Sequence, residues 1–183
     1  MHFEWKKALS LFLGASLFIL CSGGCQTKMK AEYIREEGDA ILLDNGVIRA
    51  ELDKSTGYVR TVKNLVTGTV NKEEGDDAFP FVLDYNYNRQ PVKIARDGAS
   101  AVSAVNMYQE GDTSFLDVTY KELVTQDDKT QTGIRATVHY VLAKGAPYFK
   151  VSLSLDLSKA RDDVYGVRFF EGTSFRTEGD MQM

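Results

Sequence analysis

Cysteine and histidine are scarce in this sequence. The chain of 183 residues has 2 cysteines and 2 histidines, and both cysteines, Cys21 and Cys25, lie near the N-terminus. His139 is the only histidine after His2. An internal disulfide and a cysteine-based zinc site are therefore excluded from residues 26–183, and no second histidine is present there to form a metal-binding pair. We expect no metal site and no cofactor, and a fold that depends on its hydrophobic core.

The sequence also lacks an excess of basic residues. It has 22 lysines and arginines against 26 aspartates and glutamates, which gives a formal net charge of −4 at pH 7. Proteins that bind nucleic acid carry a basic face, so this balance argues against a nucleic-acid partner. The length is sufficient for one domain, and an aromatic content of 11% suits a β-rich core.

Long apolar runs are missing except at the N-terminus, where residues 1–24 have the organisation of a signal peptide. Lys6 and Lys7 give a positively charged start, residues 8–21 are mostly apolar, and small residues follow at positions 22–24. The apolar run is shorter than the roughly 20 residues that a membrane-spanning helix needs. We therefore expect the protein to be exported.

Cys25 is a candidate lipidation site. The run Gly23-Gly24-Cys25 resembles a bacterial lipobox, in which the cysteine is acylated and becomes the mature N-terminus. The resemblance implies a lipoprotein on the cell surface or the periplasmic side of a membrane, held to that membrane by acyl chains on Cys25. The alternative is an ordinary secretory signal, cut near Gly24, that leaves Cys25 as a free thiol.

Residues 25–38 are polar and charged, which predicts a short tether ahead of a β-domain at residues 39–183. The alternative is that a strand or a helix begins near Tyr33 and Ile34. The sequence favours neither possibility over the other.

The stretch 40–68, AILLDNGVIRAELDKSTGYVRTVKNLVTG, predicts three antiparallel strands joined by two turns. Asn45 and Gly46 both tolerate positive φ, as a two-residue type I′ turn requires. Apolar and charged residues alternate at positions 48–52, which places the apolar side chains on one face of the second strand. Residues 53–57 predict the second turn, because an aspartate there can bond the backbone ahead and a glycine can adopt a left-handed conformation.

Two runs in this stretch, LDNGVIRAELDKSTG and VRTVKNLVTG, resemble the opening strands of β-sandwich domains in the galactose-mutarotase-like superfamily. Such domains occur in polysaccharide lyases and glycoside hydrolases, rhamnogalacturonan lyases among them. The resemblance implies a domain associated with polysaccharide, and because full domains of this type are considerably larger, it implies the N-terminal part of a larger enzyme. No catalytic motif of those families can be placed on this chain, so the resemblance assigns no catalytic residue.

The remaining chain shows strand patterns punctuated by turn residues, and no helical periodicity. This predicts roughly ten strands in an all-β, antiparallel β-sandwich. The clearest hairpin pairs residues 134–142 with residues 149–157. Five apolar residues on one face of its second strand are expected to line the core: Phe149, Val151, Leu153, Leu155 and Leu157.

A loop with the residue types that bind sugars follows one predicted strand. Aromatic rings stack on the C–H faces of sugars, and amide and guanidinium groups bond their hydroxyls. The alternative is a polar turn whose tyrosines pack back on the sheet. The candidate carbohydrate-binding residues are Tyr85, Asn86, Tyr87, Asn88, Arg89 and Gln90.

Residues 71–77 form an acidic run, NKEEGDD. Clustered carboxylates can bind calcium, but the spacing matches no EF-hand pattern, so we expect a solvated loop.

Residues suited to acid–base chemistry are few. His139 on the polar face of its strand is a candidate general base, and the alternative is a cross-strand partner at the surface. Polysaccharide lyases combine a base with a cation, and Arg135 and Lys150 share the predicted face of His139. The two carboxylates of a glycosidase cannot be selected among so many acidic residues. The catalytic residues, if the protein is an enzyme, are not identifiable from the sequence.

Three functional hypotheses follow. The first is a lipid-anchored domain that forms the N-terminal part of a carbohydrate-active enzyme. The second is a complete surface lipoprotein that binds glycan without catalysis. The third is a structural or interaction lipoprotein with no role in carbohydrate binding.

Overall fold

The computed structural model describes residues 30–72, 80–85, 91–93, 101–125 and 129–170. These residues form twelve β-strands and no helix, so the predicted all-β class is confirmed. None of them belongs to a helix that could cross a membrane. The strands are β1 (Ile34–Glu37), β2 (Ala40–Asp44), β3 (Ile48–Asp53), β4 (Val59–Asn64), β5 (Val70–Lys72), β6 (Phe81–Tyr85), β7 (Pro91–Lys93), β8 (Val102–Glu110), β9 (Thr113–Tyr120), β10 (Arg135–Ala143), β11 (Lys150–Asp156) and β12 (Val164–Phe169).

The described strands pair in three antiparallel sheets. One sheet has the order β1-β2-β3-β4-β5, the second has the order β11-β10-β9-β8, and the third has the order β12-β6-β7. Neighbours in the first two sheets are consecutive in the chain, and all of them except β9 and β10 are joined by short connections. The predicted antiparallel β-sandwich is confirmed.

One hydrophobic core lies between the sheets. Leu52 from the first sheet, Tyr120 from the second and Phe81 from the third are each at most 1% exposed. The rings of Phe81 and Tyr120 meet edge to face with centroids 6.1 Å apart. Each fully buried side chain of this size stabilises the fold by about 1.5–3 kcal/mol, so the core supplies the stability that disulfides do not.

The predicted meander at residues 40–68 corresponds to β2, β3 and β4, and its first turn differs from the expectation. Of the two residues assigned to a type I′ turn, only Gly46 has a positive φ, of 82°. The Asn45 Oδ1 instead accepts hydrogen bonds from the backbone N–H groups of Val47 and Ile48, both at 3.0 Å. Its Nδ2 donates to two carbonyls at the β10–β11 turn, at 2.7 and 2.9 Å. The Asn45 side chain therefore fixes a longer turn and docks it on the second sheet.

The second turn has the expected chemistry. The Asp53 Oδ1 accepts hydrogen bonds from the backbone N–H groups of Ser55 and Thr56, both at 2.8 Å. Gly57 closes the turn with a φ of 71°, a conformation that other residues adopt only with strain.

Residues 31–37 belong to the folded domain and not to a tether. β1 pairs with β2 along its whole length, and Ala31, Tyr33 and Ile34 are buried in the core. The Tyr33 N–H donates to the Ser114 Oγ at 3.0 Å. The strand alternative therefore describes these residues, and the expected tether over 25–38 is wrong for this part of the chain.

The hairpin of β10 and β11 forms as predicted, but its two strands differ in burial. The apolar face of β10 is fully buried. Of the five apolar residues expected to line the core from the second strand, four are only partly buried, and Leu157 is 45% exposed. The difference arises because β11 lies at an edge of its sheet among the described strands, whereas β10 is flanked by strands on both sides.

Candidate functional site

The second sheet has one face in the core and one face toward solvent. Alternate residues of β9 and β10 are buried, and the residues between them are partly or fully exposed, as the two-residue period of a strand requires. We call the solvent side of this sheet the outer face. Its members used below are Asn106, Tyr108, Phe115, Asp117, Thr119, Arg135, Thr137, His139, Val141, Lys150, Ser152, Ser154 and Asp156.

A hydrogen-bonded relay crosses three strands of the outer face. The His139 Nδ1 lies 2.8 Å from the Asp117 Oδ1, and the His139 Nε2 lies 2.9 Å from the Ser154 Oγ. The pairing explains these contacts, because Asp117 is directly opposite His139 and Ser154 is diagonal to it. A second Asp117 oxygen accepts a longer bond of 3.4 Å from the Asn106 Nδ2.

The relay defines which nitrogen of His139 carries the proton. A carboxylate only accepts hydrogen bonds, so the Nδ1–H donates to Asp117, and in the neutral ring the Nε2 accepts from the Ser154 hydroxyl. The side chains of His139 and Asp117 are 33% and 22% exposed, and Ser154 is exposed. The relay is therefore accessible to a ligand in solvent.

An aromatic pair lies beside the relay. Tyr108 and Phe115 are opposite each other on β8 and β9, and their rings are stacked with centroids 4.9 Å apart and planes at 6°. Burial raises the pKa of Tyr108, and the negative charges of Asp117 and Glu110 raise it further. The phenol is therefore a hydroxyl donor at neutral pH.

A pocket opens at the other end of the outer face. Its volume is about 590 Å³, and its lining includes three cations, Lys121, Arg135 and Lys159, together with Glu122 and Asp156. Hydrogen bonds from the Ser158 hydroxyl and N–H lower the pKa of Asp156, and the Glu122 Oε1 accepts a bond of 2.7 Å from the Gly133 N–H. This end of the face has a chemistry suited to a ligand with an anionic group.

The loop expected to bind carbohydrate is only partly within the described residues. Tyr85 ends β6 and is buried, with 3% exposure, and burial, followed by the negative charge of Asp162, raises its pKa. Its ring belongs to the core cluster. Asn86, Tyr87, Asn88, Arg89 and Gln90 lie outside the described residues, as does Cys25.

The three residues considered for acid–base chemistry share the outer face but do not converge. Lys150 pairs with Val141 near one end of the hairpin, and Arg135 pairs with Asp156 at the other. His139 and Arg135 are four residues apart, which is about 13 Å along a strand. The structure instead brings His139 together with Asp117 and Ser154, which sequence reasoning did not select.

No group of three or more His, Cys, Asp or Glu side chains is arranged to hold a metal ion among the residues that the structure describes. Asn71 and Lys72 of the acidic run belong to β5, and residues 73–77 of that run lie outside the described part of the chain.

The fold and the outer face define an antiparallel β-sandwich that presents an aromatic pair, a hydrogen-bonded relay and a cationic pocket on one sheet. Neither a scan against protein-family models nor a search of curated proteins finds a match to the chain.

Proposed function

We propose that the protein is an exported, lipid-anchored β-sandwich domain of the galactose-mutarotase-like type that binds polysaccharide as the N-terminal part of a larger carbohydrate-active enzyme. The observation that carries the carbohydrate proposal is the outer face, where Tyr108 and Phe115 lie next to a row of hydrogen-bonding side chains. Sugars need both an apolar surface and directed hydrogen bonds, and this face offers the two side by side.

The dimensions of the outer face suit an extended ligand. From Arg135 to Val141 the face runs about 20 Å along one strand. Donors and acceptors of several kinds lie along that length, including the hydroxyls of Thr119 and Thr137, which are 3.2 Å apart. A face of this length supports binding along a polysaccharide chain.

An apolar edge supports the proposal of a larger protein. Leu157 after β11 and three residues of β12 are large, apolar and exposed: Tyr165 is 62% exposed, Val167 43% and Phe169 44%. Among the strands that the structure describes, β11 and β12 each lie at one edge of their own sheet. Exposed apolar edges are normally covered, because they invite pairing with other chains. In a larger protein, further strands of the same polypeptide would cover these two edges, which we call together the apolar edge.

The carbohydrate proposal is tested by applying residues 26–183 to an array of plant and bacterial glycans. We expect retention on at least one polysaccharide, and a loss of affinity of about tenfold or more in the double variant Tyr108→Ala, Phe115→Ala. The matched control is Tyr148→Ala, which removes a tyrosine that is 56% exposed outside the outer face. Circular dichroism would verify that each variant is folded. Absence of any glycan signal for the wild type would contradict the proposal.

The stretch 85–90, which the sequence predicts to be a loop, is a separate candidate and needs its own variant. Because Tyr85 is a core residue, Tyr85→Ala would report on folding, so Tyr87→Ala is the informative substitution. Loss of glycan retention in that variant alone would place binding on the loop and not on the outer face.

The lipid anchor is tested by growth with an alkyne fatty acid in a bacterial host. We expect label on the wild type and on Cys21→Ser, and none on Cys25→Ser. Label that persists in Cys25→Ser would exclude acylation at this cysteine.

The second candidate function is a stand-alone surface lipoprotein that serves as a glycan-binding or interaction module without catalysis. The exposed apolar residues of β12 favour it, because they also fit a protein partner. A reading frame that continues past Met183 would favour the first proposal, the N-terminal part of a larger enzyme. A copurifying protein, together with the absence of binding on the glycan array, would favour the interaction module.

A further inference from the structure

We propose that the outer face is also a hydrolytic site, in which Ser154 is the nucleophile that cleaves acyl esters, His139 is its general base and Asp117 positions the imidazole. This activity goes beyond the proposed carbohydrate binding but uses the same face. It is based on the relay that crosses β9, β10 and β11.

The relay has the contacts that an activated serine requires. A nucleophilic hydroxyl must bond a base, and a third group must hold that base in the correct tautomer and orientation. The distances of 2.9 Å from Ser154 Oγ to His139 Nε2 and 2.8 Å from His139 Nδ1 to Asp117 Oδ1 meet both conditions. Such a site is recognised by geometry and roles, and not by the order of its members in the chain.

The sheet itself holds the three side chains in place. They lie on adjacent strands whose pairing is continuous, from Thr113 to Tyr120 between β9 and β10 and from Lys150 to Asp156 between β10 and β11. Side chains on strands are more precisely positioned than side chains on loops. The contact from Asn106 to Asp117 further restrains the carboxylate that orients the ring.

Groups suited to the rest of the reaction lie next to Ser154. Thr137 is directly opposite Ser154, and Arg135 is opposite Asp156, two residues further along the same face. Two residues of a strand span about 7 Å. The register therefore places two side-chain donors next to Ser154, where the oxygen becomes negative during attack: the Thr137 hydroxyl, which also lies 3.2 Å from the Thr119 hydroxyl, and the Arg135 guanidinium.

The pocket defines the class of substrate. Arg135 and Asp156 are on the outer face and also line the pocket of about 590 Å³, whose lining adds two cations, Lys121 and Lys159, and one carboxylate, Glu122, so that cations outnumber carboxylates by three to two. An ester whose body carries a carboxylate would place that charge in the pocket while its acyl carbon reaches Ser154. We therefore assign anionic acyl esters as the preferred substrates.

The reaction balances with water as the only other reactant. The Ser154 Oγ attacks the acyl carbon while its proton passes to the His139 Nε2, the bond from carbon to the leaving oxygen breaks, and the imidazolium gives the proton to the alcohol that leaves. Water then attacks the acyl-serine with Nε2 taking its proton, the bond from carbon to Oγ breaks, and Oγ regains the proton as the carboxylic acid departs.

The nucleophile is tested on residues 26–183 with a fluorophosphonate probe and with 4-nitrophenyl acetate. We expect the probe to map to Ser154 by mass spectrometry, and hydrolysis to fall at least 100-fold in Ser154→Ala. The matched control is Ser55→Ala, which removes an exposed serine in the β3–β4 turn of the first sheet, away from the outer face. This variant retains labelling and rate. An unlabelled wild type, or equal rates for Ser154→Ala and wild type, would overturn the proposal; the second result would mean that the imidazole alone attacks the ester.

The positioning role of Asp117 is tested by Asp117→Asn. We expect kcat to fall by about 10²–10⁴-fold with KM unchanged, because the amide favours the wrong tautomer of His139 while the substrate pocket is intact. The probe still maps to Ser154, but more slowly. An unchanged kcat, or a change confined to KM, would exclude the positioning role.

Substrate preference is tested with the 4-nitrophenyl monoester of succinic acid against 4-nitrophenyl acetate. The anionic ester should have the lower KM by about tenfold, and Arg135→Gln should remove that difference. Equal KM values in the wild type would overturn the assignment of anionic esters.

Discussion

Gly57 shows how one residue connects the two large sheets. It ends the turn between β3 and β4 with a φ of 71°, and a Cβ at this position would overlap the Tyr120 hydroxyl from the second sheet. That hydroxyl donates to the Thr56 carbonyl at 2.9 Å. Gly57 is therefore required for two reasons. Its backbone is left-handed, and the Tyr120 hydroxyl lies too close to it to leave space for a side chain.

The substitution Gly57→Ala should lower the free energy of unfolding by about 2–5 kcal/mol, since it adds overpacking to backbone strain. The matched control is Gly46→Ala, because Gly46 has a φ of 82° and no atom within 4 Å of an added Cβ. It should cost only the strain, about 1–2 kcal/mol. Urea unfolding followed by circular dichroism measures both, and equal costs would show that the contact with Tyr120 contributes nothing.

Asp53 is a charged residue whose environment ties stability to pH. Burial raises its pKa, but the hydrogen bonds from Ser55, Thr56 and Arg60 outweigh burial and hold the pKa of Asp53 well below its usual range. The Arg60 Nη2 lies 2.5 Å from the Asp53 Oδ2 and 2.9 Å from the Asp39 Oδ2. A carboxylate whose pKa is lower in the folded state stabilises the fold in its ionised form.

The contribution of Asp53 is complete above its unfolded pKa of about 3.9 and is lost as the pH falls through its folded pKa. We therefore expect wild-type stability to decline below about pH 4. Asp53→Asn should be less stable than the wild type at neutral pH and should decline less steeply. Urea midpoints measured between about pH 6 and pH 2 give the two slopes, and parallel curves would contradict a role for Asp53.

At this scale the sequence predicts a residue well when its function is local. The turn bonds of Asp53 and the left-handed Gly57 follow from residue types that serve these roles in most proteins. Asn45 was predicted incorrectly because its amide bonds carbonyls about a hundred positions away. Those distant contacts compete with the local preference for a type I′ turn. The residues near Asn45 in the sequence do not indicate that its side chain bonds the second sheet.

Among the elements, β10 and β11 have equally clear apolar patterns but different burial. Alternation identifies the apolar face of a strand, but the position of that strand in the sheet decides how deeply the face is covered. β10 is central and β11 is at the edge. Edge positions depend on the order of all strands, so the sequence pattern of one strand cannot reveal them.

This difference predicts unequal costs for similar substitutions. Leu142→Ala removes a side chain that is 0% exposed and should lower the free energy of unfolding by about 2–5 kcal/mol. Leu157→Ala removes a side chain that is 45% exposed and should cost less than about 1 kcal/mol. Chemical denaturation of the two variants checks the contrast. A cost for Leu157 as large as that for Leu142 would mean that the apolar edge is covered in solution.

The outer face was partly predictable at the same scale. Alternation placed His139 and Arg135 on the polar side of one strand and Lys150 on the polar side of the next, and the structure agrees. The relay was not predictable, because it depends on register: Asp117 is opposite His139 only for one pairing of β9 with β10. The register of two strands depends on the length and shape of the loop that connects them. The residue types between β9 and β10 do not define that shape.

For the whole molecule, the apolar edge has a consequence for behaviour in solution. With Tyr165, Val167 and Phe169 exposed on β12, residues 26–183 should bind a hydrophobic dye and associate as concentration rises. The double variant Tyr165→Lys, Val167→Lys should reduce both effects, since charge on an edge strand opposes pairing. Light scattering after size exclusion measures the association.

The control for that experiment is Val66→Lys, which adds charge at an isolated apolar residue that is 73% exposed in a turn. It should leave association unchanged. If association decreases equally in the control, net charge, and not the exposed residues of β12, determines self-association.

Finally, the presence of a single imidazole in residues 26–183 makes the relay visible to a simple spectroscopic method. The two ring C–H protons of His139 give their own signals in a one-dimensional proton NMR spectrum, without isotope labelling and without assignment of the other resonances. A bound saccharide, an acyl group on the neighbouring serine or a change of protonation would each shift those two lines, so one spectrum follows occupancy and chemistry at the same place.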